Sequence, residues 1–209
     1  MDITIINGSY HKDGMTQQLI DAFCEGIGKA DVRQYSLRDM DFSYCDACCT
    51  CMDTQGGMDR CPKKDLLDVH QRMLDSDIII YASPIHLFGP TAVMKKFMER
   101  NLPAMDFSSG MPRPRLGKDA QKTGVILLSS GAPYPFNILL GITRHPTKML
   151  RMLLKGFGCG RISTLRAGGM QIRDRTREKE LQRARKLGGR IRKNSTSRYS
   201  GRKGGPTQR

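Results

Sequence analysis

Apolar and polar positions follow one another along the chain in regular blocks. Ile3 to Ile6 form a short apolar run without alternation, the pattern of a parallel strand covered on both faces. A polar loop follows, Asn7-Gly-Ser-Tyr-His-Lys-Asp-Gly-Met-Thr16, and then Leu19, Ile20, Phe23 and Ile27 recur at spacings of three and four, which predicts a helix. The same unit of strand, loop and helix repeats. Val32 to Leu37 reads as a weaker strand and Leu66 to Leu74 as a helix. Asp77 to Ala82 is the strongest buried strand; Val93, Met94, Phe97 and Met98 stripe the helix after it, with Pro90 suited to its first turn. Val125 to Leu128 is a fourth strand, and Met149, Leu150, Leu153 and Leu154 mark a fourth helix that Gly156 and Gly158 end. Arg161 to Leu165 reads as the fifth strand, and Leu181, Ala184, Leu187 and Ile191 as the apolar stripe of a last helix. Because parallel strands need crossover connections, this order predicts an α/β fold: a doubly wound five-stranded parallel sheet in a three-layer α/β/α sandwich.

A chain of 209 residues holds one such domain and has no room for a second full one. We assign residues 1–193 to the domain, with a cysteine-rich insertion at 45–61, and residues 194–209, NSTSRYSGRKGGPTQR, to a basic disordered tail with almost nothing to bury. Residues 103–122 form a proline- and charge-rich connection long enough to be a functional loop. No apolar stretch approaches the roughly 18 residues that span a bilayer, and MDITIINGS begins as a strand rather than a targeting segment, so a cytoplasmic protein without a membrane span is expected.

The first polar loop carries the chemistry. In an open α/β sheet ligands sit beyond the carboxyl ends of the strands. Ser9 to Thr16 offers hydroxyls, free backbone N–H groups, Gly14 for close approach and the positive end of the next helix, so an anion is expected there; the alternative is that Thr16 only caps the helix. Neither a Walker phosphate loop nor a Gly-x-Gly-x-x-Gly fingerprint is present, and Gly156-Phe-Gly-Cys-Gly160 follows a helix rather than a strand. No hydrolase triad or His-Glu-x-x-His string competes.

Asn7-Gly-Ser-Tyr-His-Lys-Asp-Gly-Met-Thr16, Asp77-Ile-Ile-Ile-Tyr-Ala-Ser-Pro-Ile-His-Leu-Phe-Gly89 and Met94-Lys-Lys-Phe-Met-Glu-Arg100 together resemble the flavodoxin-like NAD(P)H-dependent FMN oxidoreductases, including iron-sulfur flavoproteins, over about residues 1–170. The resemblance implies a flavodoxin-like fold and an enzyme that moves electrons from NAD(P)H through bound FMN to a quinone, a flavin, a nitro or azo compound, or an electron-transfer protein. It assigns the FMN phosphate to Ser9, His11, Gly14, Met15 and Thr16, although His11 stands where arginine is common and Met15 where asparagine is common. It lays Pro84, Ile85, His86, Leu87, Phe88 and Gly89 along the flavin ring, and brings Ser130, Gly131 and Tyr134 to its other side. Tyr134 and Phe136 are candidates for a lid over the nicotinamide, with core packing the alternative for Phe136. No catalytic acid or base is implied, because the cofactor supplies the reactivity. A homodimer is expected from the family alone.

Five of the seven cysteines fall within residues 45–61. Clustered thiols point to redox or metal chemistry, and in a reducing compartment to ligands or catalysis rather than disulfides. The resemblance implies a [4Fe-4S] cluster on Cys45, Cys48, Cys51 and Cys61, although the last gap is long and Cys49 is an extra thiol. A disulfide-capable or vestigial loop and a zinc site remain open alternatives. Cys24 and Cys159 read as core residues.

The net charge is +15, and from Arg161 onward 16 Lys or Arg face three acidic residues, so the last quarter carries +13 of it. Such a surface attracts polyanions without reading sequence. A basic nucleic-acid-associated protein that uses the scaffold without catalysis is therefore the rival reading, and the lack of interleaved aromatics counts against base stacking.

Overall fold

In β1 (Asp2–Asn7) the side chains obey the period of two that a strand imposes: Ile3 and Ile5 pack to one face of the sheet and Ile6 to the other. The neighbouring β3 (Ile78–His86) repeats the split, with Ile78, Ile80 and Ala82 on the first face and Ile79 and Tyr81 on the second. So does β4 (Lys122–Ser130), through Val125 and Leu127 against Ile126 and Leu128. Both faces are thus apolar, which explains why these runs lack alternation in the sequence. Outer strands β2 (Asp31–Ser36) and β5 (Cys159–Gly168) pair in parallel with β1 and β4, giving the order β2-β1-β3-β4-β5. This computed structural model describes residues 1–51, 57–116, 122–170 and 172–202.

Helices cover both faces. On the first lie α1 (Met15–Ile27), through Leu19, Ile20, Phe23 and Ile27, and α5 (Asp174–Arg202), through Ala184, Leu187 and Ile191. On the second lie α2 (Leu67–Asp75), α3 (Ala92–Glu99) and α4 (Arg144–Gly156), which contribute Val69 and Met73, Met94 and Phe97, and Leu150, Leu153 and Leu154. Each large aliphatic side chain buried in these clusters contributes roughly 1.5–3 kcal/mol relative to exposure. The α1–α5 contact is backbone against backbone: a Cβ at Gly188 would lie 2.2 Å from Phe23 O, and one at Gly26 would lie 2.0 Å from Arg185 O.

Three boundaries differ from the sequence expectation. Pro90 does not enter the first turn of α3. It pairs with Ile85 in a short antiparallel return, and Thr91 caps the helix by accepting the Met94 N–H. The last helix does not stop at residue 193 but continues to Arg202, because the sequence there has no proline and adding residues to an existing helix is far easier than starting one. Strand β5 begins at Cys159 and reaches Gly168, longer at both ends than its apolar core. Residues 52–56 of the expected insertion, 117–121 of the long connection and 203–209 of the expected tail lie outside the described residues.

Candidate functional site

The direction of strand order reverses at β1, which has β2 on one side and β3 on the other, so a crevice opens beyond its carboxyl end. The loop there is built by its own polar groups. The Ser9 N–H donates to buried Asn7 Oδ1 at 2.9 Å, and the buried Ser9 Oγ accepts the His11 N–H at 3.2 Å. Gly8 N–H donates to Ala82 O, and the Thr91 hydroxyl donates to Gly8 O at 2.7 Å, tying the loop to β3 and α3. Gly14 is the N-cap of α1 and provides no side-chain cap; a Cβ there would meet His11 Cβ at 2.9 Å. The first intrahelical bond runs from Gln18 N–H to Gly14 O, so the N–H groups of Met15, Thr16 and Gln17 have no intrahelical acceptor, and no acidic residue stands in the first turn. Thr16 does not cap its helix. Its buried hydroxyl lies 2.8 Å from Ser129 Oγ at the end of β4.

These groups line a cleft of about 320 Å³, bounded by Ser9, Tyr10, His11, Gly14, Met15, Thr16, Pro84, His86 and Ser129. All five residues expected at the phosphate come together, as do Pro84 and His86. Ser129, the first residue of the loop expected to border the ring, lines this cleft beside Thr16; nothing in the sequence singled out Tyr10. Its ring stacks at 6.3 Å on His86, and its hydroxyl accepts the Val93 N–H at 3.1 Å.

The rest of the expected ring-contacting segment points elsewhere. His86 pairs with Gly89 across a two-residue turn whose central residues, Leu87 and Phe88, have φ of 46° and 62°. Such turns favour Asn-Gly, so two bulky side chains here are strained, and both are exposed, Leu87 to 98%. Ile85 packs against the core, and neither it nor Gly89 lines the cleft. Ser130 turns away to donate to Ala132 O and Ala167 O, while Gly131 and Tyr134 lie exposed outside the cleft. Phe136 is 55% exposed and takes no part in the core.

A second cleft, of about 400 Å³, is lined by Cys45, Cys48, Cys49, Cys51 and Cys61 with Lys63, Glu99, Arg100 and Pro103. Its anchor is Arg100, whose side chain is 1% exposed. The guanidinium donates to Ser43 O and Lys63 O, both at 3.0 Å, to Asp65 Oδ1 at 2.6 Å, and weakly to Cys61 Sγ at 3.9 Å. Burial opposes its charge, but Asp65 and Cys61 outweigh burial and hold it above the ordinary guanidinium range. The Arg100 hydrogen bond in turn holds the Asp65 carboxyl well below the usual carboxylate range. Arg100 Nε stays buried without a partner among the described residues. Burial raises the Cys51 thiol, and the nearby Cys61, Cys45 and Cys48 sulfurs raise it further. Exposed Cys48 is lowered by its hydrogen bond with Thr50. Ala47 and Cys49 take positive φ, at 51° and 59°. Among the described residues no three Cys, His, Asp or Glu side chains stand close enough to hold a single metal ion. Away from the cleft, burial pushes Cys159 up to about 12 and the half-buried Cys24 up to about 11, as inert core thiols require.

The profile of a family described as having a flavodoxin-like fold matches residues 1–188. The chain is 31% identical over 101 residues to an iron-sulfur flavoprotein of Archaeoglobus fulgidus, which covers 47% of this chain and 44% of that protein. It is 27% identical over 104 residues to an iron-sulfur flavoprotein of Clostridioides difficile (strain 630), covering 48% and 45%. The chain thus spans under half the length of these curated relatives. Among solved structures, an NAD(P)H:quinone oxidoreductase from Methanothermobacter marburgensis superimposes with a TM-score of 0.72 at 21% identity, covering 91% of this chain and 98% of that one. An FMN-dependent NADH-azoreductase from Bacillus anthracis, solved in complex with FMN, gives 0.67 at 14% identity, covering 92% and 100%.

Proposed function

The chain belongs to the family with the flavodoxin-like fold, and from that premise we propose that it is an FMN-dependent oxidoreductase that takes electrons from NAD(P)H and passes them to a quinone, flavin, nitro or azo compound, or an electron-transfer protein. One observation carries this reading: an uncapped helix N-terminus and three buried hydroxyls, on Ser9, Thr16 and Ser129, converge on a cleft at the switch point of the sheet. A dianionic phosphate fits that arrangement, since it accepts from free N–H groups and hydroxyls and is favoured by the helix dipole. When bound, FMN supplies the interconversion between two-electron hydride chemistry and later electron release.

The chain's own residues bind and orient. Ser9, His11 and the N–H groups of Met15 and Thr16 hold the phosphate end; Pro84 and the Tyr10–His86 pair wall the crevice. The loop of Ser130, Gly131 and Tyr134 lies beyond the cleft and is a candidate second wall once a longer ligand extends past Ser129. The names of the similar proteins support a quinone or an azo compound among these acceptors. Exposed Leu87, Phe88, Leu139 and Leu140 support a homodimer that covers them. The seven free thiols support a reducing, cytoplasmic setting.

The proposal extends to a [4Fe-4S] cluster on Cys45, Cys48, Cys51 and Cys61. Four thiols on one cleft and an unpartnered Arg100 Nε–H fit an anionic occupant held by sulfur. The same four cysteines are also a ligand set for zinc, so the metal bound after reconstitution distinguishes the two.

The test is a fluorescence titration of apoprotein with FMN, followed by NAD(P)H oxidation with a quinone by the yellow complex. Failure to bind FMN at micromolar concentration rejects the oxidoreductase. For the cluster, iron and sulfide are measured after anaerobic reconstitution; iron content in Cys48→Ala equal to that of the parent removes Cys48 as a ligand.

A further inference from the structure

We infer that the outward face of α5 is a docking surface for the phosphate backbone of duplex nucleic acid, bound without regard to sequence. Arg175, Lys179, Lys186 and Arg190 are all exposed and, with Gln182 between them, fall at steps of three and four residues, so they form one stripe opposite buried Ala184, Leu187 and Ile191. At 1.5 Å per residue the stripe is about 22 Å long. The helix contains three acidic residues before residue 195, and each is committed to an arginine off the stripe: Asp174 to Arg177, Glu178 to Arg185 and Glu180 to Arg183. Among the described residues none of the four stripe cations makes an ion pair. The helix's acids are thus spent on arginines beside the stripe, and the four stripe cations stand in one straight line.

The alternatives fit less well. An amphipathic helix binds a lipid surface by burying its apolar face, but here that face is packed on α1, with the two backbones in close contact at Gly26 and Gly188; attachment to acidic lipid by charge alone is the outcome the vesicle arm of the test reads. A protein partner needs aromatic or aliphatic anchors at the centre of its interface, and the stripe has none. A single strand is held by stacking on aromatics, which are also missing. What remains is a regular linear polyanion, and a duplex carries about one charge per 1.7 Å of axis. This inference is independent of the flavin reading.

The full chain is titrated into a fluorescein-labelled 24-base-pair duplex of arbitrary sequence, with binding read by anisotropy. Four phosphate contacts predict a slope near −3.6 for log K against log [KCl], so that affinity falls roughly 150-fold between 50 and 200 mM salt. Arg175→Gln, Lys179→Gln, Lys186→Gln and Arg190→Gln combined should lower affinity at 50 mM by at least tenfold and flatten the slope, with an unchanged circular-dichroism melt; Lys179→Arg with Lys186→Arg should retain binding. Absence of binding at 50 mM salt overturns the inference, as does equal binding by the fourfold variant. So does tighter binding to phosphatidylserine vesicles, or to polyglutamate at equal charge, that the fourfold variant abolishes.

Discussion

The loop after β1 and the cysteine loop after β2 both leave the carboxyl end of a strand, yet they are held in opposite ways. The first is shaped by short-range bonds, Asn7 to Ser9 and Ser9 to His11, is anchored at Gly8 by Ala82 and Thr91, and leaves the first N–H groups of the next helix free. The second has no regular element between residues 40 and 57 among those described, puts Ala47 and Cys49 at positive φ, and depends on Arg100, which arrives from the end of α3. A site made of main-chain groups is prepared before its ligand arrives. A site made of thiols on an irregular loop needs an external clamp, here a buried cation bonded to two carbonyls and a carboxylate.

Removing the clamp is the strongest way to test that contrast. Arg100→Met removes the guanidinium from Asp65 Oδ1 and from two carbonyls, leaving Asp65 only the Ser43 N–H, and should cost about 3 kcal/mol in urea unfolding, while the FMN dissociation constant stays within threefold. A stability loss below 1 kcal/mol, or loss of FMN binding in folded protein, would show that the two loops are not held independently.

Acid should act on the same side of the sheet. His70, on α2 among Phe97, Phe157 and Arg100, is pushed down to about 4 by burial and then by the Arg100 charge, with Asp65 and Asn101 opposing. The unfolded chain takes up this proton near 6.5 and the folded one only near 4, so stability is complete above 6.5 and is lost as pH falls between those values. The loss reaches roughly 2.5 kcal/mol at pH 4.5. His70→Gln should remove that dependence; a parent whose stability is flat from pH 7 to 4.5 refutes the assignment.

On the phosphate side the effects are local and smaller. Thr16→Ala removes one buried hydroxyl from the cleft and should weaken FMN about tenfold, near 1.4 kcal/mol, with little change in melting temperature. Unchanged FMN affinity by titration would remove the hydroxyl from the site. The smallest change is a gain: Phe88→Gly relieves a positive φ and should stabilise the fold by about 1 kcal/mol in the same urea assay. Lower stability would mean that the Phe88 side chain is covered in solution.

Apolar runs and helical stripes located the five parallel strands and the five long helices of the described residues, because a buried parallel strand and an amphipathic helix leave periodic marks that do not depend on partners. The cleft-lining loop Ser9 to Thr16 was legible for a similar reason, as it is a continuous polar segment between a strand and a helix. Thr16 offering its hydroxyl to Ser129 rather than to its own helix was not legible, since the partner lies 113 residues away. Nor was the turn of Ser130 away from the cleft, which depends on Ala167 O of β5.

By itself the sequence determined the order of elements, the face each one buries, and the concentration of thiols and of positive charge. Tertiary structure alone decided which groups share a cleft and that Arg100 clamps the cysteine loop. The reason is physical: periodicity is a local property of the chain, whereas a hydrogen bond between strand ends or a cation buried beneath a distant loop exists only after the sheet has brought those segments together.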